Sequence, residues 1–154
     1  MTDANARVRE YWDTHIHDLE ISSHPPGSPG FFADLDEYHF DKLHHLLRLV
    51  PFDGMRGKKV LDVGCGAGVD LLRFARGGAV VTGVDISSSA IELARKNAPY
   101  QGPDADLRVA DAEDLPFDEG TFDLVFAHGV IQYSSSTQRV IDQCRRVLKD
   151  DGQA

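Results

Sequence analysis

Residues 60–70 read VLDVGCGAGVD, where Gly64, Gly66 and Gly68 alternate with small residues behind the carboxylate of Asp62. Glycine at this density marks backbone that turns through positive φ or lies close against a ligand. Three kinds of ligand compete for such a loop. A nucleoside triphosphate needs G-x-x-x-x-G-K-[ST], and no Lys-Ser/Thr pair follows here. A dinucleotide needs G-x-G-x-x-G, but the position three beyond Gly66 is Val69. Asp62 adds negative charge from which a pyrophosphate gains nothing. It suits a ligand with a cationic group, such as an ammonium or a sulfonium.

A second acid supports this reading. Asp85 closes the run VTGVDIS, 21 residues after Gly64, near the spacing at which an acid hydrogen-bonds a ribose hydroxyl. Ser87 to Ser89 follow as helix caps, and Glu92, three beyond Ser89, would complete a capping box. Asp111 lies in VADAEDLPF, so three successive strand ends carry an acid: Asp62, Asp85 and Asp111. Cys65, inside the glycine loop, reads as a small space-filler rather than a nucleophile. His15-x-His17 lacks an acidic or cysteine ligand at fixed spacing, so no metal site is expected.

These residues need a scaffold that presents strand ends side by side. KKVLDV (58–63), AVVTGV (79–84), ADLRVA (105–110) and FDLVFA (122–127) are short strand candidates rich in β-branched residues. Helical stretches separate them at VDLLRFARGG (69–78) and SSAIELARKNA (88–98). A last helix is expected at STQRVIDQCRRVLKD (136–150), with Val140, Ile141, Cys144, Val147 and Leu148 on one stripe. The alternation predicts βαβ crossovers, hence an α/β doubly wound parallel sheet with helices on both faces. Ligands of such sheets bind outside the carboxyl ends of the strands, where the glycines and acids fall.

Ahead of this domain, residues 1–57 form a helical extension. NARVREYWDTHIHDL (5–19) predicts a polar helix with Val8, Tyr11, Trp12 and Ile16 on one face. HPPGSPG (24–30) reads as a loop or hinge. FFADLDEYHFDKLHHLLRLV (31–50) predicts one long amphipathic helix, which PFDGMRG ends. The binding domain then occupies residues 58–154.

Composition narrows the partners. The chain has 154 residues, 42% of them hydrophobic, one domain's worth of core. No run approaches the ~20 apolar residues of a membrane span. MTDANARVREYW lacks an export signal's apolar centre, so the cytoplasm is the expected location. Two cysteines, Cys65 and Cys144, make no disulfide framework. A net charge of −9 opposes nucleic acid, and Arg145, Arg146 and Lys149 read as a solvated helix face. The expected partner is a small molecule or another protein.

VLDVGCGAG, VTGVDIS, DAEDLPFDEGTFDLVFAHGVIQY and RRVLKDDG together resemble the successive motifs of class I S-adenosylmethionine-dependent methyltransferases. The likeness covers roughly residues 58–152 and is closest to the small-molecule branch that includes quinone-biosynthesis enzymes. It implies a Rossmann-like fold, S-adenosyl-L-methionine as cofactor and a small-molecule methyl acceptor. By the same resemblance Asp62, Gly64, Cys65, Gly66 and Gly68 would meet the methionine part, and Asp85 with Ile86 the ribose. Asp111 and Ala112 would lie at the adenine, and His128 and Gly129 beside the methyl donor. His128 is the catalytic candidate by position, a cofactor-lining role being the other reading. N-terminal helices of similar enzymes often close over the cofactor, which would put Tyr11, His15, His17 and His24 among sources of a general base; the plainer reading is that these histidines are solvated.

Two departures matter. The chain reads LKDDG where the family usually reads LKPGG, and it ends at Ala154 where family members continue into further strands. With strands ordered third, second, first, fourth, the apolar FDLVFAH would stand at an edge. Missing downstream sequence, a second copy or a different chain is then expected to cover it. The alternative function is a non-catalytic cofactor-binding module or an inactive truncated fragment. A nucleotide-dependent oxidoreductase is a third reading, disfavoured by Val69.

Overall fold

The computed structural model describes residues 3–16, 18–101 and 104–154. Five strands form one parallel sheet in the order β3-β2-β1-β4-β5. They are β1 (Lys59–Val63), β2 (Val80–Asp85), β3 (Asp106–Val109), β4 (Phe122–Phe126) and β5 (Leu148–Gln153). Among the described residues six α-helices accompany them: α1 (Asp3–Thr14), α2 (Pro29–Lys42), α3 (Leu46–Leu49), α4 (Val69–Arg76), α5 (Ser88–Gln101) and α6 (Thr137–Val147). Among the described residues no helix is long and apolar enough to cross a membrane.

Side-chain alternation along the strands divides the core in two. Val60 and Val81 face Leu71 and Phe74 of α4 and Ile91 and Ala94 of α5. Leu61, Val63, Val84 and Val125 face the other way, onto Val140, Cys144 and Val147 of α6. Both sheet faces are therefore covered, as parallel strands apolar on both sides require. The N-terminal helices share this core. Phe40, Leu46, Phe52 and Met55 join the α4/α5 face, while Phe31, Phe32 and Leu35 of α2 pack on Leu93 of α5.

Four expectations are corrected. The fourth strand is not an edge: β5 pairs with it in parallel, Phe122 beside Leu148 and Leu124 beside Gln153. The last helix stops at Val147, where Leu148 turns extended (φ −81°, ψ 138°). Lys149 Nζ then reaches Asp123 Oδ1 at 2.8 Å and ties the new strand to β4. β5 of the same chain, with no partner required, thus covers β4.

The presumed 31–50 helix is two. Leu43 leaves the helical region (φ −112°, ψ 37°), and a single turn, α3, re-forms and stops before Pro51. The 24–30 loop is also shorter than expected. Pro29 sits in the first turn of α2, where its missing N–H is no loss, and Ser28 Oγ caps by accepting from Phe31 N at 3.3 Å. His17 lies outside the described residues.

Candidate functional site

The β1–α4 connection turns through three left-handed glycines: Gly64 (φ +73°), Gly66 (φ +53°) and Gly68 (φ +82°). Each answers a different demand. A Cβ on Gly64 would lie 2.0 Å from Val130 Cγ2, so this glycine lets the loop after β4 close in. A Cβ on Gly66 would meet nothing within 4 Å, because it would project into open space. Gly68 caps α4 and stands 3.4 Å, by the same measure, from Ala94 Cβ of α5.

Asp85 holds this loop in shape. Its carboxylate accepts from Gly66 N and from Ser87 N, each at 2.9 Å. Burial pushes its pKa up, against the opposing pull of those backbone donors. Asn97 of α5 adds a brace, its Nδ2 donating to Ala67 O at 3.0 Å. Ser87 is the α5 cap, accepting from Ala90 N at 3.1 Å. The expected Ser89–Glu92 capping box is not formed, because the helix begins at Ser88, one residue beyond Ser87.

A cavity of about 360 Å³ crosses the carboxyl ends of the strands, within the size range of small-molecule sites. Its wall brings together Gly64, Cys65, Gly66, Asp85, Ile86, Asp111, Ala112, His128 and Gly129. Two expected members lie off it. Gly68 faces α5 instead, and Asp62, 3% exposed, is on the strand face beneath α4. There the Asp62 carboxylate accepts from Leu71 N. Strand parity could have revealed this, since Asp62 shares a face with Val60.

Burial drives Asp62 well above the usual carboxylate range, reinforced by the charges of Asp70 and Asp85. Cys65 is driven upward by burial and by Asp62 and Asp85, which keeps its sulfur a thiol. A raised carboxyl contributes stability below its unfolded value, about 3.9, and loses it as pH rises through its folded value. Asp62→Asn should therefore melt higher than wild type at pH 7, with the gain shrinking as pH approaches 4. Scanning calorimetry across that range checks this, and a lower melting point at pH 7 contradicts it.

On the N-terminal side of the wall stand residues that sequence reasoning did not name as site members, although it expected the N-terminal helices to close over the cofactor. Trp12 of α1 lines the cavity and meets Tyr133 edge-on, with centroids 5.2 Å apart. Asn5 Nδ2 donates to Asp111 Oδ2 at 2.6 Å, while Glu113 N donates to Asp111 Oδ1 at 2.9 Å. Asp13 accepts from Ser87 Oγ at 2.8 Å and from Ser89 N at 3.2 Å, fastening α1 to the start of α5. Burial opposes its charge, but the serine donors prevail and hold its carboxyl below the usual range. His39 of α2 and Asp70 of α4 also line the cavity and touch each other. These pairs are remote in sequence, and no local pattern announces them. Tyr11 and His15 stack on each other outside the wall, with centroids 4.3 Å apart, and His24 likewise does not line it.

Known proteins match this arrangement. A family model described as a methyltransferase domain matches residues 60–152. A ubiquinone biosynthesis O-methyltransferase of Actinobacillus pleuropneumoniae is 36% identical over 120 residues, covering 70% of this chain and 51% of that protein. The enzyme of the same description from Chelativorans is 30% identical, covering 96% of this chain and 56% of its own. The chain therefore spans about half the length of these curated relatives. Among solved structures, the PH0226 protein of Pyrococcus horikoshii superimposes with a TM-score of 0.68 at 29% identity, covering 93% of this chain and 62% of that one. The YcgJ protein of Bacillus subtilis gives 0.65 at 31% identity, covering 71% and 48%. With a family model matched over more than half its length, on a parallel sheet that ends in a glycine loop, the chain belongs to the methyltransferase domain family, whose cofactor is S-adenosylmethionine.

Proposed function

We propose that this chain binds S-adenosylmethionine across the carboxyl ends of β3, β2, β1 and β4 and directs its methyl group to a small-molecule acceptor. The observation that carries the reading is the pairing of Gly66 with Asp85. A left-handed glycine of the cavity wall, with open space where a side chain would project, is held there by a half-buried strand-end carboxylate. The residues present fit the cofactor. Gly64, Cys65 and Gly66 offer a close backbone surface for its methionine part, with Asp85 and Ile86 next to it for the ribose. Asp111 and Ala112 stand one strand further on, for the adenine.

The cofactor supplies an activated carbon on a sulfonium, so the chain's task is to position and to exclude water. Val8 and Trp12 of α1, with Ile16 just beyond it, cover the cavity from the N-terminal side, which is the role proposed for residues 1–57. His128 and Gly129 border the β4 end of the cavity, where the acceptor would approach. The relatives described as O-methyltransferases support oxygen as the accepting atom. A cytoplasmic location belongs to the same proposal. Calorimetric titration tests it: S-adenosylhomocysteine should bind with about 1:1 stoichiometry, and NAD should release no heat. The reverse pattern would make the chain a dinucleotide protein.

A further inference from the structure

His39 and Asp70 are 31 residues apart in sequence, yet His39 Nε2 lies 3.0 Å from Asp70 Oδ1. Their side chains are only 18% and 11% exposed, and both line the cavity. A carboxylate accepts and does not donate, so it selects the imidazole tautomer with the hydrogen on Nε2. The lone pair then rests on Nδ1, which has no partner among the described residues. An imidazole with its tautomer fixed by an acid and its other nitrogen unengaged has the makings of a general base.

Its place in the cavity agrees. Asp111 follows β3 at one side of the sheet, whereas the His39 ring stands 6.4 Å from the ring of His128, which follows β4. The pair is thus near the β4 end, away from the proposed adenine position. Leu35 and Leu43 flank it with apolar surface suited to an aromatic ring. The charged and titratable neighbours are few. Lys42 lies one turn along on α2, and Arg73 of α4 stacks 4.4 Å over Phe40. His128 comes from the loop after β4, and Asp62 lies beneath on β1.

We propose that His39 is a catalytic residue that takes the proton from a phenolic hydroxyl of the acceptor, with Asp70 as its positioning residue. This rests on the reading of the cavity as a methyl-donor site. A phenol, with a pKa of about 10 as in tyrosine, is protonated at neutral pH and needs a base. A thiolate or carboxylate acceptor would need none. In the step, the O–H proton passes to Nδ1 and the oxygen's electron pair forms the bond to the methyl carbon. The carbon–sulfur bond breaks with its pair left on sulfur, which becomes a neutral thioether. The imidazolium then releases its proton to water.

The test uses the full chain saturated with S-adenosylhomocysteine and 4-nitrocatechol, a phenol whose ionisation is visible by absorbance. In wild type the bound dye should ionise at least one pH unit below the free dye, a tenfold shift toward phenolate. His39→Gln should abolish that depression while binding S-adenosylhomocysteine within about twofold of wild type. Asp70→Asn should reduce the depression, and the ¹⁵N spectrum of His39 should move from a single tautomer to a mixture. A dye that does not bind, or that ionises alike in wild type and His39→Gln, overturns the proposal. So does a tenfold loss of S-adenosylhomocysteine affinity in His39→Gln, which would make His39 a cofactor ligand. Failure of wild type to bind S-adenosylhomocysteine overturns the reading of the cavity itself, a result distinct from binding with an unmoved dye.

Discussion

Gly66→Val is expected to lower affinity for S-adenosylhomocysteine by at least about a hundredfold while leaving the protein folded. The two halves of that outcome have separate causes. A Cβ at this position meets no protein atom within 4 Å, so the side chain starts out in open space and not in packed protein. What it occupies is the cavity, at the surface proposed for the methionine part. A β-branched residue at φ +53° is also strained, at about 1–2 kcal/mol, which lowers the melting point without unfolding the chain. A hundredfold loss corresponds to about 2.7 kcal/mol, within reach of excluding a ligand from close backbone contact. Gly64→Ala makes the contrast. Its Cβ would collide with Val130, so stability should suffer first and binding as a consequence. Calorimetric titration beside thermal melts separates the two variants, and unchanged affinity in Gly66→Val would end the assignment of the loop.

Asp85→Ala comes next, with an expected affinity loss of at least roughly tenfold. Hydrogen bonds to a charged group are worth about 1.5–3 kcal/mol each, and about 1.4 kcal/mol is one decade of affinity. The carboxylate is proposed to accept from the ribose hydroxyls, and it already accepts from Gly66 N and Ser87 N. Its removal takes away the ligand's partner and releases the loop that meets the rest of the ligand. Asp85→Asn keeps one acceptor oxygen and should lose less. Hydrogen exchange distinguishes the contributions: the Gly66 amide should exchange faster in Asp85→Ala even without ligand. If the alanine variant binds like wild type, the acid is only a brace for the loop.

Much of the scaffold was legible because its signals are local. Four strands carry apolar runs separated by helical periodicity, and the glycine loop stands out by composition alone. The fifth strand did not, since LKDDGQ is polar and Leu148 falls in helical register with Cys144. Its identity is set by pairing with β4, which no local pattern encodes. In the site, Gly64, Gly66, Asp85 and Asp111 were visible as residue types at strand ends. Asp62 lies off the wall because, by the odd–even alternation of β1, it shares with Val60 the side that faces α4. His39 with Asp70, Asn5 with Asp111, and Asp13 with Ser87 became neighbours only through the packing of α1 and α2 on the domain.

The bridge from Asn5 to Asp111 spans 106 residues of chain. A pocket walled by both ends of such a span comes into being late in folding, because its loop-closure entropy must be met before its contacts form. A nascent chain emerging from the ribosome therefore holds the glycine loop well before it holds the pocket. A ligand of this cavity selects the fully assembled molecule and cannot serve as a template for partial structures. Its stabilisation falls on global unfolding, rising with the logarithm of its concentration. The slowest-exchanging amides of the sheet should register that protection together, strand by strand in equal measure.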